Sequence, residues 1–227
     1  MTGRHLNGGG GVRPLLIGIC GVLAACSGLQ SRSAPTVVYT LNAPVFAPDQ
    51  ASLGGRLRAF ALQIERPDAG PGLGGAQIAL RRADNRLDYF AASVWAAPLP
   101  QLLEALLLET LRSSARLGTV HDDRAPFASD FLLRIGIRRF DADYSVSAAA
   151  PVIRVAFDCA IGTRADRRVI DQFSVTAESP AAANRLTAVI GAFEVATQRA
   201  LLQIADRTFT ALEAAAAEAG AWPSERR

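Results

Sequence analysis

The chain has 227 residues, of which 50% are hydrophobic and 20% charged, and its formal net charge is +3. This composition indicates one globular domain with a hydrophobic core and excludes the charge-rich signature of disorder. All 24 basic residues are arginine, so the phosphate-binding lysine of a P-loop and the amine of a Schiff-base enzyme are both missing. The arginines are scattered, so we predict no nucleic-acid partner.

The first 25 residues have the pattern of a secretory signal peptide. Arg4 and Arg13 precede an apolar run over residues 14–25, with no acidic residue before it. This run is shorter than the roughly 20 residues that cross a bilayer as a helix, so a transmembrane anchor is the weaker interpretation. We predict that residues 1–25 are a signal peptide.

The end of the apolar run resembles a bacterial lipobox. An aliphatic residue and two small residues, Leu23-Ala24-Ala25, stand directly before Cys26. The resemblance implies that Cys26 is acylated, becomes the first residue of the mature chain and anchors it to a membrane, since more than one acyl chain gives stable anchoring. Ser27 after the cysteine resembles an outer-membrane sorting signal. Cys159 then remains without a disulfide partner, and we predict that it is a small core residue.

After the signal peptide, the pattern changes from a tether to a domain. Residues 26–56 are rich in Ser, Pro, Gly and Ala, with one short extended segment at Val37–Leu41 that we expect to join a sheet. Residues 57–218 form the predicted domain, and 219–227 form a tail. The first strands of the domain are predicted at 57–66, 76–82 and 86–95, with a Pro/Gly loop at 67–75 and a hairpin turn at 83–85. A helix follows at 99–118, between Pro98 and Gly118.

The second part of the domain follows the same order. Strands are predicted at 130–145, 151–162 and 169–179, and a long alanine-rich helix runs from Pro180 to about residue 218. These elements predict an α+β fold, with a mainly antiparallel sheet and two amphipathic helices packed on one face. The order strands, helix, strands, helix also suggests a weak internal duplication.

No set of side chains forms a credible catalytic or metal site. Residues 121–124 read HDDR, but we expect them in a loop, where consecutive side chains point to alternate sides. Glu104 and Glu109 lie five residues apart on a helix and do not converge. A polar strand end explains Asp141 and Asp143 as well as an acid pair does. We therefore predict no enzyme activity, no cofactor and no metal, with a hydrolase using His121, Asp122 or Asp123 as the contrary hypothesis.

A longer motif carries a family resemblance. Residues 89–111 read YFAASVWAAPLPQLLEALLLETL: an aromatic pair, then Trp-Ala-x-Pro, then a leucine-rich helix. Together with the lipobox, the YTL at 39–41 and the order of the later strands, this motif resembles the ABC-type transport auxiliary lipoprotein component family over residues 23–215. Val94 stands where family members often have a basic residue.

The resemblance implies a function in transport. These lipoproteins resemble outer-membrane partners of systems that combine an ABC ATPase, a permease and a periplasmic protein with an MCE (mammalian cell entry) domain. Such systems are thought to move lipids or other hydrophobic molecules. The resemblance thus implies a non-enzymatic, lipid-anchored docking subunit that faces the periplasm from the outer membrane. The alternative is a stand-alone outer-membrane lipoprotein that helps to assemble another envelope component.

Three residues are candidate contacts with a partner or a lipid. If the strand alternates, Tyr89 and Trp95 share one face and form an aromatic wall, and Leu73 lies exposed in the glycine-rich loop. The other interpretation is that Trp95 covers the first helix at the core edge and that Leu73 folds back on the sheet.

Overall fold

The computed structural model describes residue 3 and residues 35–46, 57–145, 147 and 149–219. The predictions for the signal peptide, for Cys26 and Ser27, for the tether from 47 to 56 and for the tail beyond Ala219 lie outside these residues. The fold belongs to the unit Thr36–Arg227.

The described residues contain nine strands and two α-helices, in the order five strands, a helix, four strands and a helix. A short 3-10 helix at Leu57–Ala59 precedes the second strand. The elements are β1 (Val37–Tyr39), β2 (Ala61–Ile64), β3 (Asp68–Ala69), β4 (Gln77–Arg81), β5 (Leu87–Trp95), α1 (Leu99–Ser113), β6 (Thr119–Asp122), β7 (Phe131–Asp143), β8 (Val152–Thr163), β9 (Val169–Pro180) and α2 (Leu186–Ala219).

The sheet is organised around the long strand β7. Along one edge, β7 pairs antiparallel with β8 from Phe131 to Asp143, and β8 pairs antiparallel with β9. Along its other edge, β7 pairs with β2, β3 and β4 in succession, each in parallel. Strand β6 extends the sheet beyond β2, and β5 and then β1 extend it beyond β4. The segment from β2 to β4 therefore runs beside β7 as one interrupted strand.

The α+β class is confirmed, and the sheet is mixed. Its long ladders are antiparallel, as predicted, but the short strands β2, β3 and β4 are parallel to β7. The two halves of the chain pair differently, because the second half forms an antiparallel meander and the first half does not. The topology does not confirm the suggested duplication.

Both helices pack against the sheet and against each other. The predicted apolar face of α1 is buried, at Leu99, Leu102, Leu103, Leu106 and Leu111. More of α1 is buried than one face, because α2 and β6 also contact it; the exposed stripe contains Gln101, Ala105 and Glu109. The predicted stripe of α2 is buried or half-buried at Leu186, Ile190, Phe193, Thr197, Ala200, Ile204, Thr208 and Ala211.

Several predicted boundaries are wrong. The first helix ends at Ser113 rather than at Gly118, because Ala115 has a positive φ of 53° and turns the chain away. Gly118 instead lets two backbone segments pack closely, since a Cβ at this position would overlap the carbonyl oxygen of Arg58. The second helix begins at Leu186, and Pro180 is the last residue of β9.

Two short strands lie where loops were predicted. His121 and Asp122 belong to β6, which pairs parallel with β2, and Asp68–Ala69 forms β3 beside β7. Conversely, residues 57–59 are helical although a strand was predicted from residue 57. The hairpin turn at 83–85 is confirmed, with Asn85 at φ 62° and its N–H bonded to the Arg82 carbonyl.

Candidate functional site

Strand β5, which carries the resemblance motif, contains a wide bulge. Gln77 of β4 pairs with Val94, but Ala79, two residues on, pairs with Tyr89, so β5 holds three extra residues between these pairs. Ala92 within the bulge has a positive φ of 49°. An odd number of extra residues reverses the alternation of a strand. The predicted alternation from Tyr89 to Trp95 is therefore wrong.

Trp95 is a core residue with an exposed fraction of 2%. Its ring contacts Phe140 of β7 and Phe193 of α2 edge-on, with centroid distances of 5.9 and 5.2 Å. The two phenylalanine rings stack on each other, also at 5.2 Å. This aromatic cluster joins the β5 end of the sheet to the long helix, and buried aromatic area of this kind dominates core energetics.

Tyr89 and Leu73 meet at the glycine-rich loop between β3 and β4. The Tyr89 hydroxyl donates a hydrogen bond to the Gly72 carbonyl oxygen at 2.9 Å, and Gly72 has a φ of 81°. Leu73 is buried, so it folds back on the sheet. Of the three candidate contact residues, Tyr89 alone is exposed, with an exposed fraction of 38%.

The end of β7 carries a buried ion-pair cluster. Arg139 donates to Asp141 at 2.7 and 3.1 Å and to Asp143 at 3.0 Å. Arg154 of β8 lies 3.2 Å from Asp143, and Arg81 of β4 lies 3.6 Å from Asp141. Both carboxylates are buried. The arrangement explains Asp141 and Asp143 as a structural charge cluster that joins three strands, rather than as an acid pair.

The charge of Asp143 is stabilised within this cluster. Burial by itself would raise its pKa, but hydrogen bonds from Ser145 and Arg139 outweigh that effect and lower the pKa to about 2. Hydrogen bonding with Asp141 raises the pKa of Arg139. Sequence reasoning missed the arginine partners. The available signal was that charged residues occupy every second position, 139, 141 and 143, at the end of a long apolar strand.

A second buried carboxylate, Glu104, lies on α1. Arg66 lies 3.1 Å from one of its oxygens and Arg124 lies 3.5 Å from the other. Arg124 also pairs with Asp122 at 2.6 Å, and the pKa of Asp122 is lowered by that hydrogen bond. The charges around Glu104 are thus neutralised within the fold. Glu109 is exposed on α1, so the two glutamates do not converge, as predicted.

His121 is buried on β6. Its Nδ1 lies 2.9 Å from the carbonyl oxygen of Asp122, and its Nε2 is buried without a hydrogen-bond partner. In the part of the chain that the structure describes, no group of three or more His, Cys, Asp or Glu side chains could hold a metal ion.

Cys159 is a free, buried cysteine of β8, as predicted. Burial raises the pKa of its thiol to about 12. Because the thiolate is the reactive form, the Cys159 thiol is inert at neutral pH.

The sheet also has an open pocket of about 660 Å³, which includes the small residues Gly136 and Ala160. Of the charged residues that line it, Arg134 pairs with Glu65 at 2.7 Å. Asp158 pairs with Arg138 at 3.0 Å and accepts a hydrogen bond from Ser174. These four charged side chains are therefore paired with one another inside the fold.

None of the helices in the described residues has both the length and the apolar character needed to cross a membrane. The candidate anchor Cys26 lies outside the described residues, so its acylation stays a prediction.

Comparison with known proteins identifies the family. The model of the ABC-type transport auxiliary lipoprotein component family matches residues 39–205. No curated protein matches the sequence. Among solved structures, protein XCC0632 from Xanthomonas campestris is similar in fold, with a TM-score of 0.68 and 21% identity over 78% of this chain and 97% of that one. An uncharacterized protein is also similar, with a TM-score of 0.57 and 18% identity over 77% of this chain and 99% of that one.

The matched region runs from the end of β1 into α2 and so includes the β5 bulge, the aromatic cluster and both ion-pair clusters. The chain belongs to the ABC-type transport auxiliary lipoprotein component family, as its β5–α1 motif suggested. The two solved structures support the fold alone.

Proposed function

We propose that this chain is a lipid-anchored, non-enzymatic subunit of an MCE-associated ABC transport system for lipids or other hydrophobic molecules. Acylated Cys26 tethers it to the outer membrane, and the domain faces the periplasm and docks the MCE-domain protein, through it contacting the permease and ATPase. The observation that carries the proposal is the family match over residues 39–205, joined to a lipobox before Cys26.

The arrangement of polar side chains supports a docking role over catalysis. The carboxylates with the strongest burial, Asp141, Asp143 and Glu104, are each paired with arginine. His121 lies in the sheet with its Nδ1 against the backbone carbonyl oxygen of Asp122, and the Cys159 thiol is inert at neutral pH. Tyr89 presents the exposed aromatic surface of the family motif, and we propose it as the contact residue among the three candidates.

Cell fractionation tests the anchor. We expect wild type in the outer-membrane fraction, with a mass increased by acyl chains, and Cys26→Ala displaced from that fraction. Cys159→Ala is the matched control, because it removes a buried cysteine that cannot be acylated in the folded domain. Outer-membrane recovery of Cys26→Ala equal to that of wild type would refute the anchoring part of the proposal.

The alternative function, a stand-alone lipoprotein that assists assembly of another envelope component, predicts a different genetic setting. Adjacent genes for an ATPase, a permease and an MCE-domain protein favour the transport proposal. An isolated gene favours the alternative.

A further inference from the structure

The edge of the sheet at β1 has an apolar surface that the fold leaves uncovered. Val37 and Val38 are large hydrophobic residues with exposed fractions of 48% and 62%. Strand β1 pairs with β5 along one side, where Val37 lies opposite Ser93. The two residues before Ser93, Ala91 and Ala92, belong to the bulge and are exposed. Because side chains alternate along a strand, Val37 and Val38 lie on the two opposite faces of the sheet at this edge. We call Val37, Val38, Ala91 and Ala92, which together border the edge, the edge patch.

The edge patch comes from two segments of the sequence that contain no charged residue. Residues 33–48 contain no charged side chain, and neither do residues 89–103. The charge directly before the second segment is already paired: Asp88 lies 2.9 Å from Arg82, in the hairpin that joins β4 to β5. A partner of the edge patch is therefore recognised by apolar contact and not by ion pairing.

The chain length between the anchor and the patch limits what the patch can reach. Residue 37 follows residue 26 by eleven positions, a span of at most about 40 Å when fully extended. A domain of this size is about 40 Å across. The described chain enters the domain at β1, so the edge patch contains the part of the domain that is closest to Cys26 along the chain.

We propose that the edge patch rests on the surface of the phospholipid bilayer that holds the Cys26 acyl chains; this inference depends on the proposed acylation. Two exposed valines bind a membrane weakly by themselves, since their apolar area is small. The tether compensates, because it keeps the patch at an effective concentration in the millimolar range relative to the bilayer. The contact fixes the orientation of the domain, with β1 towards the membrane and β9 away from it.

Fluorescent labelling of the full acylated chain tests the orientation. Val38→Cys is labelled with an environment-sensitive fluorophore, and the protein is placed in vesicles of phosphatidylethanolamine with a minor fraction of phosphatidylglycerol. Thr176→Cys on β9 is the matched control: it is exposed on a strand, and its strand lies five positions from β1 across the sheet, about 24 Å away. Cys159 is buried and its raised pKa keeps it unlabelled.

We expect a blue-shifted emission at position 38 and quenching by lipids with a spin label near the headgroup, at low and at high salt alike. Position 176 keeps its aqueous emission. Val37→Cys is the second labelling site if the Val38 variant does not fold as wild type does. Equal quenching at positions 38 and 176, no quenching at 38, or quenching that high salt abolishes overturns the inference.

Two measurements separate this inference from the proposed function. Intact mass shows whether Cys26 carries acyl chains; an unmodified mass refutes the anchor itself, whereas an acylated chain with an aqueous signal at position 38 refutes the bilayer contact alone. A Cys26→Ser chain without vesicles shows whether another copy covers the patch. A blue shift at position 38 that grows with protein concentration would mean that a second copy, and not the bilayer, occupies the edge patch.

Discussion

At the scale of single residues, Asp143 makes the stability of the domain depend on pH. Its pKa is about 2 in the folded chain against an ordinary value of 3.8. A carboxyl with a lowered folded pKa stabilises fully above its ordinary pKa and loses that contribution as the pH falls towards its folded pKa. We expect the free energy of unfolding to drop by about 2 kcal/mol through this group between pH 4 and pH 2, as measured by urea unfolding at a series of pH values.

Replacing the carboxylate removes this pH dependence. Asp143→Asn leaves Arg139 and Arg154 without one acceptor, so we expect it to destabilise the domain by about 2–4 kcal/mol at neutral pH and to flatten the profile below pH 4. Asp84→Asn is the control, because Asp84 and Arg86 form an exposed pair, whose loss changes stability by less than about 1 kcal/mol. Similar effects of the two substitutions would contradict the importance of the buried cluster.

Trp95 and Tyr89 stand six residues apart in one motif, yet we expect losses of stability of very different size when they are replaced. Trp95→Ala removes the ring that joins Phe140 to Phe193 and should cost about 3–5 kcal/mol of unfolding free energy. Tyr89→Phe removes one hydrogen bond to Gly72 and should cost about 1 kcal/mol or less. Urea midpoints for both variants check this order; a Trp95→Ala midpoint at the wild-type value would mean that the tryptophan is not a core residue.

At the scale of elements, replacing two glycines by alanine should have opposite effects, because close packing limits one position and helix propensity the other. Gly118→Ala places a Cβ against the Arg58 carbonyl, so we expect the backbone to shift at a cost of about 1–3 kcal/mol. Gly191→Ala lies in α2, where nothing within 4 Å meets the added Cβ, and alanine favours helix over glycine by about 1 kcal/mol. Thermal unfolding should therefore show a lower Tm for Gly118→Ala and a raised Tm for Gly191→Ala; two changes of the same sign would contradict this account.

The regular elements could be predicted because their hydrophobic periodicity is strong. Alternation over thirteen residues of β7 and the helical stripes of α1 and α2 are each repeated several times, so local pattern and tertiary packing agree. The hairpin between β4 and β5 followed from its turn residues.

The missed elements depend on contacts that are distant in sequence. Strand β6 spans four residues and β3 two, and each forms because β2 or β7 offers it a parallel partner. The bulge in β5 follows from its pairing with β4, which no single-strand pattern contains. For the same reason the sequence left the burial of Leu73 and Trp95 open between two interpretations, and it did not indicate the arginine partners of Asp141 and Asp143.

At the scale of the whole molecule, the fold provides a sheet whose buried carboxylates are paired with arginine. The edges differ: β1 is short and apolar, whereas Arg199 of α2 donates to the Glu178 carbonyl of β9 at 2.8 Å and Arg207 lies over the Phe173 ring. Arginines at an edge strand obstruct further pairing. This asymmetry agrees with a domain that presents one edge to the membrane and keeps the other from uncontrolled association.

The proposed partnership with an MCE transport system is tested most directly by identifying the proteins that stay bound to the full chain when it is purified from its own membrane. The chain carries a C-terminal tag and is purified from solubilised membranes after mild cross-linking, and mass spectrometry identifies what remains bound. The matched control fuses residues 1–35 to an unrelated periplasmic domain, which keeps the lipobox and Cys26 but removes the unit Thr36–Arg227. The account predicts that an MCE-domain protein, with its permease and ATPase, is enriched with the full chain and not with the control. Recovery of none of these proteins, or equal recovery with both, would contradict it.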